Sequence, residues 1–154
     1  MKKVDLELTV NGEHLTFTIY PNRTLLEVLR AEVGLTGAKE GCGEGACGSC
    51  TVLLDGQPVR ACLTLAVEAA GSAITTVEGL AEGETLDPLQ DAFIEHGSVQ
   101  CGFCTPGMLM SAKGLLTEDP HPDEQKIRRA LSGNVCRCTG YAKIVEAVAD
   151  AAKK

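Results

Sequence analysis

Cys42, Cys47 and Cys50 stand at C-x₄-C-x₂-C spacing in a glycine-rich stretch, and Cys62 follows further on. Three thiolates at this spacing, completed by a distant fourth, match plant-type [2Fe–2S] ligation. One loop must then wrap a bulky anion and aim backbone N–H groups at its sulfurs. The glycines from Gly41 to Gly48 permit that close approach. A zinc site more often uses two close pairs than this three-plus-one arrangement. The stretch also lacks the Gly-Lys-Ser/Thr of a phosphate-binding loop.

The other four of the eight cysteines form two pairs, Cys101 with Cys104 and Cys136 with Cys138. Thr105 and Thr139 directly follow the second member of each pair. The spacing predicts helix N-termini there, whose free N–H groups and positive dipole ends favour an anion. A four-thiolate iron–sulfur cluster suits such a cage, and on ligand pairing alone four-thiolate zinc does too. Disulfides are disfavoured by the spacing and by a start that lacks the apolar run of a secretory signal.

The elements that must position these thiols divide the chain in two. Val4–Val10 and His14–Tyr20 alternate about Asn11-Gly12 as a β-hairpin. Thr24 and Glu27 make a capping box for a helix that Gly34 closes. Thr51–Leu54 and Pro58–Cys62 form a second hairpin about Asp55-Gly56, and Ile74–Val77 a last strand. Residues 75–87 read as a linker. Beyond it four helices are predicted: one capped by Asp87 with Leu89, Phe93 and Ile94 inward, one from Thr105-Pro106, one over Asp123–Ser132 ended by Gly133, and one over Tyr141–Ala152. The expected fold class is α+β, with a small sheet domain over 1–78 and an all-α four-helix bundle over 79–154. The chain twice runs helix, glycine, cysteine pair, threonine, helix, which predicts approximate two-fold symmetry.

A formal charge of −7 argues against a nucleic-acid partner. No stretch is apolar and long enough to span a membrane. The expected setting is the cytoplasm, or export alongside a signal-bearing partner. Aromatic residues make up only 3% of the chain, so the two small cores must be aliphatic and in need of a metal staple.

The motifs Gly41–Cys50, Gln100–Gly107 and Gly133–Tyr141, in that order, resemble the two-cluster iron–sulfur subunit of the xanthine dehydrogenase family of molybdenum hydroxylases. The resemblance spans nearly the whole chain and departs from the pattern at none of the eight cysteines. It implies a ferredoxin-like β-grasp followed by a helical bundle, and two [2Fe–2S] clusters. Cys42, Cys47, Cys50 and Cys62 would hold the one nearer the flavin. Cys101, Cys104, Cys136 and Cys138 would hold the one nearer the molybdenum pterin, with Gln100 and Cys138 against the pterin itself. Electrons would pass from molybdenum through the second cluster and then the first to FAD. The molybdenum pterin and FAD would sit on partner subunits, in a dimer of heterotrimers. The chain itself would carry no catalytic residue for substrate. A free-standing two-cluster ferredoxin and a zinc-stabilised interaction module are the alternatives.

His14, His96 and His121 read as surface residues, and Glu40 and Glu44 as solvated. Phe103 is expected in the core beside the second site. Arg137, between two cysteines, either offsets cluster charge or makes an interface ion pair.

Overall fold

The computed structural model describes residues 1–154. Strands β1 (Val4–Val10) and β2 (Glu13–Ile19) pair antiparallel, from Val4 opposite Ile19 to Val10 opposite Glu13. Asn11 and Gly12 take φ of 51° and 83°, the left-handed turn that matches strand twist. Helix α1 (Leu25–Ala31) starts at Thr24, whose hydroxyl accepts the Glu27 N–H while the Glu27 carboxylate accepts the Thr24 N–H. Leu25, Leu26, Val28 and Leu29 of α1 are buried in one core with Leu6, Leu8, Val52 and Ile74 of the sheet.

A second hairpin, β3 (Thr51–Leu54) with β4 (Gln57–Arg60), is joined to the first by β5 (Ala73–Thr75). Strand β5 runs parallel to β1 and antiparallel to β3, giving the sheet order β2-β1-β5-β3-β4. The unbroken apolar run of β3 has a direct cause, because the strand is covered on both faces. Val52 faces the first core, while Leu53 belongs to a second core made by the helices.

The helices are α2 (Pro88–Glu95), α3 (Thr105–Glu118), α4 (Glu124–Leu131) and α5 (Ala142–Ala151). Asp87 caps α2 and Asp123 caps α4, each through its carboxylate. Each helix packs on two others, in the ring α2–α3–α4–α5, and α3 also lies on β3 and β4. Phe93, Met108, Met110, Ile127 and Ile144 fill the centre. Helix and sheet units thus share a face rather than a tether.

Four expectations need correction. Ile94 is 65% exposed, because Phe93 and Ala92 take the inward positions of α2 and the next residue turns to solvent. Phe103 is 46% exposed and lies outside the core, beside the loop at Gly41. Helix α5 begins at Ala142, so Thr139 is not a helix start. That breaks the symmetry of the two helix–cysteine–threonine units, since α3 does begin at Thr105. The expected linker is also firmly held. Asn11 exchanges two hydrogen bonds with Thr76, and Glu78 accepts the Gly37 N–H. Its lack of periodicity reflects a 3-10 turn at Val77–Gly79 and polar anchoring, not freedom.

Candidate functional site

All eight cysteines are free thiols, and they meet in twos. The Cys101 and Cys138 sulfurs lie 3.6 Å apart. Cys136 lies near enough to Cys104, Cys62 to Cys50 and Cys47 to Cys42 to shift the ionisation of the latter thiol of each pair. Two thiolates on one tetrahedral metal at about 2.3 Å would stand roughly 3.8 Å apart. No three cysteine, histidine or carboxylate side chains converge as a single ion requires. Paired thiols, two pairs to a site, are the donor set of a binuclear cluster, in which each iron takes two. The residues present therefore fit a [2Fe–2S] group at each site better than one zinc.

The first site is a loop. Cys42 is exposed at its rim, and its sulfur accepts the Cys47 N–H at 3.4 Å. That bond, with N–H groups of Glu44 and Ala46, brings the Cys42 thiol down to about 7. Cys50, at the start of β3, is buried. Burial pushes its thiol up to about 11; the Cys62 N–H acts against this and the Cys62 sulfur adds to it. Glu40 and Glu44 are exposed, in accord with solvated roles.

The second site has an inner and an outer pair. Cys104 and Cys136 are half-buried, whereas Cys101 and Cys138 are exposed. Burial, then the Cys136 sulfur, raise the Cys104 thiol to about 12. Burial would raise Cys136 as well, but the hydroxyl and N–H of Thr139 and the N–H of Cys138 bring it to about 7. The Thr139 hydroxyl donates to the Cys136 sulfur at 3.0 Å and its N–H at 3.4 Å. In the outer pair the Cys101 sulfur raises the Cys138 thiol. Thiols so placed ionise together only with a cation between them, so metal binding must release protons. Gln100, adjoining Cys101, is exposed on this outer side, and Arg137 is exposed with no ion pair to another residue of the chain.

Where the two sites approach each other, polar contacts that the sequence alone did not reveal hold them. Asn134, 2% exposed, donates from Nδ2 to the Gly48 carbonyl at 3.0 Å and accepts the Ser111 hydroxyl at 2.7 Å. Arg60 donates to Thr51 Oγ1 at 2.6 Å and to the Gly133 carbonyl at 2.7 Å. Val135 donates its N–H to the Cys47 carbonyl at 2.8 Å. Backbones touch here: a Cβ on Gly107 would overlap the Gly48 carbonyl, and one on Gly48 would overlap that of Gly133. The three histidines are remote from the thiols, bonded instead to Thr9, Asp150 and Ala152.

Known proteins share this arrangement. Residues 8–73 match the family model described as a 2Fe-2S iron-sulfur cluster binding domain, and residues 76–149 that of a [2Fe-2S] binding domain. The chain is 51% identical over 148 residues to the nicotinate dehydrogenase small FeS subunit of Eubacterium barkeri, covering 96% of this chain and 94% of that one. Quinoline 2-oxidoreductase from Pseudomonas putida 86 contains a chain 50% identical, with a TM-score of 0.95 over 99% of this chain and 96% of that one. The aldehyde oxidoreductase of Desulfovibrio desulfuricans is 46% identical with a TM-score of 0.93. There the match takes 99% of this chain but 17% of the other, so the same unit is built into a far longer polypeptide.

Proposed function

The chain belongs to the small two-[2Fe–2S] iron–sulfur subunits of molybdenum hydroxylases, and from that membership we propose how its residues carry out electron transfer in such a complex. Cys42, Cys47, Cys50 and Cys62 hold the first cluster, and Cys101, Cys104, Cys136 and Cys138 the second. When bound, these clusters relay electrons singly from a molybdenum pterin, through the second and then the first, toward FAD. The observation that carries this reading is the 2.8 Å bond from Val135, which adjoins Cys136, to the carbonyl of Cys47. It joins the inner pair of the second site to a ligand of the first, while the outer pair is left open to a partner.

The exposed Cys138 and Gln100 are the contacts for the partner's pterin. Cys42, at the exposed rim of the first site, faces the flavin side. The chain's own task is to hold the two sites in register, exclude water from Cys50, and aim N–H groups at sulfur. We divide it at 78/79, supported by separate aliphatic cores on the two sides, although Leu53 of β3 crosses to the helical one. The partners are separate molybdenum-pterin and FAD-binding chains, in a dimer of heterotrimers. Near end-to-end similarity to a relative itself named a small subunit supports separate chains. No helix is long and apolar enough to cross a membrane. Eight cysteines at cluster-ligand spacings rather than in disulfides suit a reducing compartment, the cytoplasm.

The test is purification from native cells, followed by metal and sulfide analysis. Two [2Fe–2S] clusters per chain and co-purification with a larger molybdenum-containing chain are expected. Zinc without acid-labile sulfide would sink the reading, and both clusters in a solitary chain would favour the free-standing ferredoxin.

A further inference from the structure

Tyr141 packs half-buried against the helical core and holds an unusual backbone conformation. It precedes α5 with φ 68° and ψ −26°, in the left-handed region, directly after Gly140 at φ 65°. A side chain with a Cβ pays roughly 1–2 kcal/mol to sit there. What that conformation achieves is a clasp. The Tyr141 hydroxyl accepts the N–H of Cys136 at 2.7 Å and donates to the carbonyl of Asn134 at 3.1 Å. Its own N–H reaches Thr139 Oγ1 at 3.3 Å, the same hydroxyl that donates to the Cys136 sulfur. The segment from Asn134 to Tyr141 is thereby closed on itself around one sulfur.

The clasp sorts the donors. Thr139 directs both an N–H and an O–H at the Cys136 sulfur, whereas the N–H of Cys136 itself is taken by the phenol oxygen. Donors aimed at cluster sulfurs stabilise the more negative, reduced state, and the potential of such a group follows their number and the nearby charge. The first site has no counterpart. The chain's other tyrosine, Tyr20, follows β2 with its ring beneath Lys3 and is 46% exposed.

Building on the functional reading above, we propose that Tyr141 is a positioning residue that sets the reduction potential of the second cluster. Its hydroxyl keeps the Cys136 N–H away from sulfur and sets the negative end of a dipole beside that ligand, which holds the potential below the value without the hydroxyl, while the backbone N–H of Tyr141 that meets Thr139 Oγ1 is present either way. Removing the hydroxyl frees one donor and takes the negative end of a dipole from beside a ligand. Both effects favour the reduced state.

The experiment is a redox titration of the full-length, cluster-loaded chain, followed by electron paramagnetic resonance. Dithionite supplies one electron per cluster, turning a ferric pair into one ferric and one ferrous iron. The unaltered chain must show two [2Fe–2S] signals, and Cys136→Ser identifies the second by its loss. Failure at that stage would count against the functional reading rather than against the clasp. In Tyr141→Phe the second signal is expected to titrate at higher potential, with the first unmoved. No shift, a downward shift, or an equal shift of both signals overturns the proposal. If Tyr141→Phe does not retain its second cluster, uniform 3-fluorotyrosine labelling decides, because the chain has only two tyrosines. That ring keeps its hydroxyl as a weaker acceptor. A smaller upward shift confined to the second cluster supports the clasp, and its absence overturns it.

Discussion

The two thiol sites reach a similar end by different means. At the first, a loop presents three cysteines and uses main-chain N–H groups, with Cys47 N–H on the Cys42 sulfur. At the second, two short segments between helices face each other, and side-chain hydroxyls do the orienting, with Thr139 on the Cys136 sulfur and Tyr141 across the segment. A loop that wraps its ligand needs glycine and little else. Two segments far apart in the chain need something to fix each one, and a hydroxyl supplies direction without another turn of backbone. The first site is therefore expected to tolerate side-chain changes around its cysteines, and the second to respond to them.

The largest effect should come from removing a proposed ligand. Cys136→Ser should cost the second cluster and leave the first, so that iron and acid-labile sulfide fall by about half. Loss of both clusters from that change would mean that the sites do not assemble independently. Next is the seam. Gly107→Ala places a methyl against the Gly48 carbonyl, and neither backbone can yield without moving a cluster loop. A loss of about 3 kcal/mol or more is expected in denaturant unfolding. Gly12→Ala has φ of 83° but open space around it, and should cost only about 1–2 kcal/mol.

Asn134→Asp keeps the shape and the Ser111 bond but turns the donor facing the Gly48 carbonyl into a second acceptor. About 1–3 kcal/mol should be lost. The magnetic interaction between the two reduced clusters should change as well, whereas unaltered coupling would show that Asn134 does not set their spacing. Thr139→Val removes the hydroxyl donor to the Cys136 sulfur and should lower the potential of the second cluster alone. A matching shift at the first would erase the contrast between the sites.

The smallest effect lies far from both. The Asp55 carboxylate accepts the Ala73 N–H at 2.8 Å, and that bond holds its pKa below the ordinary carboxylate value. With the folded pKa depressed, its stabilisation is present above the unfolded value of about 3.9 and fades as pH falls through the folded one. Asp55→Asn should lower the melting temperature slightly at neutral pH, where that stabilisation is present, and make little difference once pH falls below the folded pKa, so that the acid limb flattens.

Much of this protein could be read from neighbouring residues because its causes are local. Asn11-Gly12 and Asp55-Gly56 turn hairpins through their own torsions. Thr24 with Glu27 and Asp87 with Gln90 cap helices through bonds spanning three residues. The cysteine spacing in the first loop marked a cluster motif for the same reason. Ile94 lies outside this legible part, because periodicity in a short helix does not say which of two adjacent apolar residues the core accepts. The likeness of the two cysteine–threonine segments does not extend to a helix start at Thr139, because Gly140 and Tyr141 both turn left-handed before α5 begins.

What the sequence determined by itself is the inventory: eight thiols, two hairpins, four capped or broken helices, and the order in which they occur. What only the tertiary structure decided is how those thiols pair and how the two sites meet. Pairing Cys101 with Cys138, or bringing Asn134 to Gly48, depends on closing long loops whose ends carry no mark of each other. Packing of α2 on α5 and of α3 on α4 brings Cys101 to Cys138, packing of α3 on β3 brings Gly48 toward Asn134, and no periodicity or cap encodes either encounter. Tyr141 belongs with the second group, since its hydroxyl acquires a meaning only once the backbone has turned to face Cys136.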